Sequence, residues 1–355
     1  MDDRGLYIRE DRPLAGHAAV GMNQMKAAVL NGPGQVEVQS VPIPECGPDD
    51  VILGIEAVGL CGSDFATYAG HWRFPRPFVI GHEGYGRIVA VGSAVRDRTV
   101  GSLAVVEPNI VCGACPLCRK GASSLCQQKR SLGVGIDGLC AEFARVPGAF
   151  VWPLPETIQL EDAVCIEPLA VALAAIRESG ARSGDEVTVF GAGSQGLLLT
   201  LGLAALGIAP HVVDPQPQRL ELARDLGARA ASVEAPEGPS SDVVFETSGA
   251  PDALTAAIAT AAPGATIMLI GFSHHPVLVD TVRIVRQRLR VQGSIIYQHP
   301  VDFQSTVDLV ADGSLHPGRV IKRTFALREA DEALRTAPTL PGKTLIAVTA
   351  HGRTE

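Results

Sequence analysis

The sequence predicts an α/β protein in two parts: a small β-rich, barrel-like domain and a doubly wound parallel sheet with helices on both faces. Two patterns carry this. Short strand-like runs separated by proline- and glycine-bearing turns fill residues 25–60 and 86–107. From residue 168 onward, strand-like and helix-like runs alternate, as a parallel sheet requires. A chain of 355 residues, 46% hydrophobic and 19% charged, is long enough for about two domains with a substantial core.

Taken in order, residues 1–24 carry mixed charges and no sustained period. A disordered extension is expected there, with Met22 and Met25 as alternative translation starts to Met1. These residues lack an apolar central block, so no secretory leader is expected and a cytoplasmic location follows. Strands are expected at 27–30, 35–40, 51–58, 86–91 and 102–106. At Pro168 the pattern changes to a helix with Leu169, Leu173 and Ile176 on one face. Strands at 186–190, 210–213, 242–246 and 265–270 then alternate with helices beginning at Ser194, Gln218 and Asp252. A helix over 302–312, a strand over 319–325, a helix over 328–337 and a last strand over 344–348 complete the chain.

The net charge is −8, with acidic residues spread along the chain, which argues against a general nucleic-acid binder or a membrane-surface protein. The longest apolar run, Leu197 to Ala209, is interrupted by Thr200, Gly202 and Gly207 and is too short for a bilayer.

Of the eight cysteines, four form the run Cys112-x2-Cys115-x2-Cys118-x7-Cys126. Four thiolates match the closed tetrahedral shell of a structural zinc. An iron–sulfur cluster uses similar spacing. A zinc-ribbon nucleic-acid module is the other rival, but Arg119, Lys120, Lys129 and Arg130 are few against an acidic chain.

A second candidate metal centre begins at Cys61, in Gly59-Leu60-Cys61-Gly62-Ser63-Asp64, and continues at Gly81-His82-Glu83-Gly84. A thiolate and an imidazole on glycine-rich turns suit a zinc ion that keeps one coordination position open. A further carboxylate is offered by Cys165-Ile166-Glu167-Pro168. Proline at the first helical position places Glu167 at the cap, where helix amides favour its ionised form. Cys165 competes with it. Two positions apart on one element, they do not both reach one ion, and Cys165 reads as packing, like the unpaired Cys46 and Cys140.

The strand Val187–Phe190 leads into Gly191-Ala192-Gly193-Ser194-Gln195-Gly196, the G-x-G-x-x-G fingerprint of a Rossmann dinucleotide site. The free amides at the following helix start hold the pyrophosphate. Asp214, 18 residues past Gly196, is placed to accept the ribose hydroxyls of NAD and to repel the 2′-phosphate of NADP. Arg219 is a candidate for the adenine face.

These motifs in this order resemble the medium-chain, zinc-dependent alcohol dehydrogenases, over about residues 25–350. Ile166-Glu167-Pro168-Leu169 is similar to the sorbitol and threonine dehydrogenase branch, where glutamate stands as the third protein ligand. The resemblance implies a GroES-like catalytic domain, 25–167 completed by 301–355, around an NAD-binding Rossmann domain, 168–300. It implies a catalytic Zn2+ on Cys61, His82 and Glu167, with Glu83 as an exchangeable ligand or neighbouring carboxylate. It also implies a structural Zn2+ on Cys112, Cys115, Cys118 and Cys126, and a homo-oligomer, dimer or tetramer.

Three departures stand out. Ala66 takes the place where many relatives carry a proton-relay histidine, leaving Tyr68 or a water to complete the path beyond Ser63. The stretch Ser232–Ser241 is too short for a helix between two strands. Phe65, Tyr68, Gly70 and Trp72 form a pattern similar to that of 2-deoxy-scyllo-inosamine dehydrogenases.

The expected reaction is reversible oxidation of a secondary alcohol (a polyol, cyclitol or amino alcohol) to its ketone, with Ser63 accepting the hydroxyl proton. A primary-alcohol or aldehyde-type dehydrogenase is the alternative enzyme. A zinc- and NAD-binding sensor without turnover is the alternative of another class.

Overall fold

A computed structural model describes residues 23–348 apart from 73, 75, 76 and 274. The extension expected at 1–24 therefore lies outside the described residues except for Asn23 and Gln24, and Gln24 already opens the first strand, Gln24–Gly32.

The chain forms the two expected kinds of sheet. The β-rich part is built on a 7-stranded sheet in which Val151–Pro153, Leu103–Val106, Glu83–Val91, Asp50–Gly59, Lys343–Ala347 and Ile321–Ala326 lie side by side. Phe143–Pro147 also pairs with Asp50–Gly59. The strand nearest the C-terminus, Lys343–Ala347, thus pairs antiparallel with one formed almost 300 residues earlier, Leu345 facing Gly59. Its inward residues Val51, Leu53, Ile55 and Ile88 close a core with Leu139 and Ile346.

The other sheet is fully parallel and 6-stranded, in the order Ala230–Ser232, His211–Val213, Val187–Phe190, Ser241–Glu246, Ala261–Leu269, Arg290–Gly293. Counted along the chain this is 3-2-1-4-5-6, the doubly wound order whose reversal beside the first strand opens a dinucleotide crevice. Ser194–Ala205 buries Leu197, Leu198, Leu199 and Leu203 completely, so this helix is apolar nearly all round because it is covered by the sheet and by helix Ile166–Ser179.

Three differences from the sequence-based expectation have physical causes. Helix Ile166–Ser179 starts two residues earlier than expected, with Cys165 as its cap, because helix Leu160–Val164 runs directly into it. Glu167 therefore sits inside the first turn. Pro168 is tolerated there because first-turn N–H groups have no intrahelical acceptor. Cys61 and the residues after it are not a plain turn: Gly62–Tyr68 is a short helix capped by Cys61. Helix Thr281–Gln287 and strand Arg290–Gly293 follow no apolar period, since none of their residues is buried. Between Ala230–Ser232 and Ser241–Glu246 no helix forms among the described residues, in keeping with the shortness of that stretch.

Candidate active site

The site is assembled where the β-rich sheet meets the first helix after it. Cys61 caps Gly62–Tyr68, and Asp64 in that helix's first turn accepts the Cys61 N–H at 2.8 Å. The other oxygen of Asp64 faces Nδ1 of His82 at 3.4 Å. One buried carboxylate therefore holds the Cys61 amide and faces the His82 ring, leaving the second imidazole nitrogen for an ion, an arrangement common behind metal-bound histidines. Burial alone would lower the His82 pKa, but Asp64 and then Cys61 beside it raise it well above the usual value.

The strand Glu83–Val91 brings Glu83 next to His82. Donor atoms of Cys61, His82 and Glu83 lie within 4.8 Å of one another, a spacing that can hold a metal ion. Glu83 is 1% exposed as a side chain, and its partner is Lys343, itself 0% exposed, which also donates to the Leu60 carbonyl at 3.0 Å. Room for this pair exists because residue 59 is glycine: a Cβ there would stand 2.3 Å from Glu83 Oε2 and 2.9 Å from Lys343 Cε. The neighbouring Glu83 raises the Lys343 pKa, against the effect of burial.

Glu167 stands beside this set rather than within its 4.8 Å spacing. Burial pushes its carboxyl up to about 7, while His82 pulls down and Glu83 pushes up, so it shares their electrostatic environment. Its Oε1 accepts from the Tyr297 hydroxyl at 3.2 Å and lies 3.5 Å from Asn109 Nδ2. Cys165 is fully buried in the core, and burial drives its thiol pKa upward, away from the thiolate that a metal needs. Ser63 is half-buried in the first turn after Cys61. Tyr68 donates its hydroxyl to Asp331 at 2.9 Å, tying its helix to helix Ala330–Thr336.

The four sulfurs of Cys112, Cys115, Cys118 and Cys126 also lie within 4.8 Å of one another. Backbone amides point at them: Cys112 N to Cys126 Sγ at 3.4 Å, Cys115 N to Cys112 Sγ at 3.3 Å, Cys118 N to Cys115 Sγ at 3.5 Å. The Cys118 amide in particular helps lower the Cys115 thiol pKa to about 6. N–H···S bonds stabilise thiolates, so the loop is pre-shaped for a closed metal shell.

At the dinucleotide fingerprint, Gly191 has φ of 98°, which excludes ordinary side chains. A Cβ on Gly196 would lie 1.8 Å from the Gly191 carbonyl oxygen, so helix and strand could not pack as they do. Gly193 caps the helix, and a Cβ there would meet nothing within 4 Å, leaving space at the amides for phosphate. Asp214 accepts the Ala192 N–H and the Gln216 N–H, both at 2.8 Å, tying the fingerprint loop to the next strand. Arg219 is held against the C-terminal segment by the Pro338 carbonyl at 2.7 Å, with Nη1 3.9 Å from Asp214. Trp72 meets Phe272 edge-on at 5.5 Å, one ring from each part of the molecule.

Asp64, Asn109, Tyr297 and Lys343 are the site residues that sequence reading missed. Asp64 was within reach, as an acidic residue in the first turn after Cys61. Asn109, Tyr297 and Lys343 carry no local signal, because each acts on a residue far away in the chain.

Comparison with known proteins identifies the family. Residues 47–156 match the alcohol dehydrogenase GroES-like domain, and residues 196–312 match the zinc-binding dehydrogenase domain. A probable D-xylulose reductase A of Aspergillus clavatus is 33% identical over 90% of this chain and 95% of its own length. Sorbitol dehydrogenase of Bacillus subtilis is 28% identical over 88% of this chain and 93% of its own. The crystal structure of a putative zinc-binding dehydrogenase from Sinorhizobium meliloti bound to NADP superposes with a TM-score of 0.86 at 32% identity, covering 92% of this chain and all of that one. The chain belongs to the zinc-dependent medium-chain alcohol dehydrogenase family, in its sorbitol dehydrogenase-like branch.

Proposed function

We propose that this protein reversibly oxidises a secondary alcohol of a polyol, cyclitol or amino alcohol to the ketone, with NAD as hydride acceptor. The observation that carries the reading is the convergence of Cys61, His82 and Glu83, with the buried Glu167 beside them. In this reading Cys61, His82 and Glu167 hold the catalytic Zn2+, Glu83 is the exchangeable carboxylate, and the four-cysteine loop holds a structural Zn2+. Bound zinc supplies Lewis acidity, lowering the pKa of a substrate hydroxyl toward neutrality. Bound NAD supplies the hydride acceptor.

The chain's own residues do the rest. Asp64 stands beside the His82 ring, and Lys343 pairs with Glu83. Ser63, two residues from Cys61 and half-buried, accepts the hydroxyl proton and passes it to water, since Tyr68 is committed to Asp331. The Trp72–Phe272 ring pair offers an apolar surface suited to the C–H face of a ring or chain whose other face carries hydroxyls. The NAD preference rests on Asp214, whose carboxylate disfavours a 2′-phosphate. We also place the subunit contact at the open sheet edge, Arg290–Gly293, and at Leu278, Val282 and Val285, which are 96%, 62% and 73% exposed.

No helix among the described residues is long and apolar enough to cross a membrane. The deciding experiment is NADH absorbance with a panel of sorbitol, myo-inositol, threonine, aminocyclitols and primary alcohols, before and after chelation. Turnover of secondary polyols that chelation abolishes is expected. Turnover confined to primary alcohols, or unaffected by metal removal, would overturn the reading.

A further inference from the structure

We propose that Tyr297 is a positioning residue for the Glu167 carboxylate, and that the four-cysteine loop sets Tyr297 in place through Gln298, so that the two metal centres are mechanically coupled. The inference rests on the reading of Glu167 as a ligand of the catalytic zinc.

Tyr297 is 1% exposed and Glu167 4%, so neither can exchange its partner for bulk water. The Tyr297 hydroxyl donates to Glu167 Oε1 at 3.2 Å, and its oxygen accepts from Asn109 Nδ2 at 3.1 Å. Asn109 Oδ1 in turn accepts from Ser131 Oγ at 2.8 Å. All donors run one way, from Ser131 through Asn109 and Tyr297 to the carboxylate, so each bond polarises the next. Asn109 and Ser131 face each other on paired strands, Asn109–Ile110 and Arg130–Leu132, that enter and leave the four-cysteine loop.

The loop's middle grips the neighbouring residue. Gln298 Oε1 accepts the Ser124 N–H at 3.1 Å, and its Nε2 donates to Ser124 Oγ at 2.7 Å, a two-pronged clamp. His299 N donates to Ser123 Oγ at 2.7 Å. Ser123 and Ser124 lie in the 3-10 turn Ser123–Leu125, between Cys118 and Cys126. The strands at the loop's ends therefore bear on the tyrosine through Asn109, and the loop's middle bears on its neighbour Gln298. A buried ligand carboxylate whose Oε1 is held by the Tyr297 hydroxyl and, at 3.5 Å, by Asn109 Nδ2 has one orientation toward an ion, and partners of this kind govern metal affinity.

The test is equilibrium competition of the zinc-loaded protein against a chromophoric chelator, resolving the two zinc ions per chain, with the visible spectrum of protein whose catalytic ion has been exchanged for cobalt. Tyr297→Phe should weaken one zinc about 10- to 100-fold, leave the other unchanged and shift the cobalt spectrum. Gln298→Ala, and the milder Ser124→Ala, should weaken the same zinc while both ions remain countable. Wild-type affinity and spectrum in Tyr297→Phe would overturn the positioning role. Wild-type behaviour of the catalytic ion in both Gln298→Ala and Ser124→Ala would overturn the coupling. Glu167→Ala separates this from the parent reading: if it too leaves both zinc affinities unchanged, the assignment of Glu167 as a ligand fails instead.

Discussion

Lys343→Met removes the cation that holds Glu83 and replaces it with an apolar side chain of similar length. Both side chains of the pair are essentially inaccessible, 0% and 1% exposed, and the Lys343 ammonium also satisfies the Leu60 carbonyl at 3.0 Å. The variant therefore leaves a buried carboxylate without its counter-ion and a buried carbonyl without its donor. Breaking a buried pair from one side costs about 3–5 kcal/mol, and the complete burial here places the expectation in the upper half of that range. The double variant Lys343→Met/Glu83→Gln carries no stranded charge and should recover most of the loss. Urea unfolding of the wild type, both single variants and the double variant at one fixed zinc concentration completes the cycle. A Lys343→Met protein within about 1 kcal/mol of wild type, or a cycle without coupling, would refute the view that this pair anchors the centre.

Asp214→Ala should shift the NAD-to-NADP ratio of kcat/KM toward NADP by about tenfold or more, given about 1.5–3 kcal/mol for a hydrogen bond to a charged group; a wild type that already prefers NADP would contradict the assignment. Val285→Glu, on the exposed helix Thr281–Gln287 beside the open sheet edge, should give smaller particles in sedimentation than the wild type without loss of helicity; unchanged size would move the subunit contact elsewhere. Glu107 is buried, and burial raises its pKa despite bonds from His299 and Trp152. A carboxyl raised in the folded state adds stability that is present below its unfolded value of about 4.5 and lost as pH rises through the folded value. Glu107→Gln should therefore flatten the fall of Tm with pH just above that point; an unaltered profile would show that Glu107 does not titrate there.

How much was legible in the sequence follows from the range of the forces. The fingerprint Gly191, Gly193 and Gly196 and the four-cysteine run declared themselves because the chemistry of each is completed within one short stretch of chain, as turn, amide or thiolate. Alternating apolar and turn-forming runs likewise revealed the parallel sheet, since each strand and helix needs its own buried face. The shared wall of the catalytic centre was not legible. Lys343 reaches Glu83, Tyr297 reaches Glu167 and Asn109 reaches both Tyr297 and Ser131, each over chain distances that leave no periodic trace.

The sequence by itself offered the residue types that suit zinc and a dinucleotide, because ligand identity, spacing and glycine freedom are local properties. Only the tertiary structure decided how the three carboxylates Asp64, Glu83 and Glu167 divide their work. Asp64 turns toward His82, Glu83 toward Lys343 and Glu167 toward Tyr297. In a buried site the partner that neutralises or orients a charge fixes its role, and that partner arrives from whichever strand the fold lays alongside.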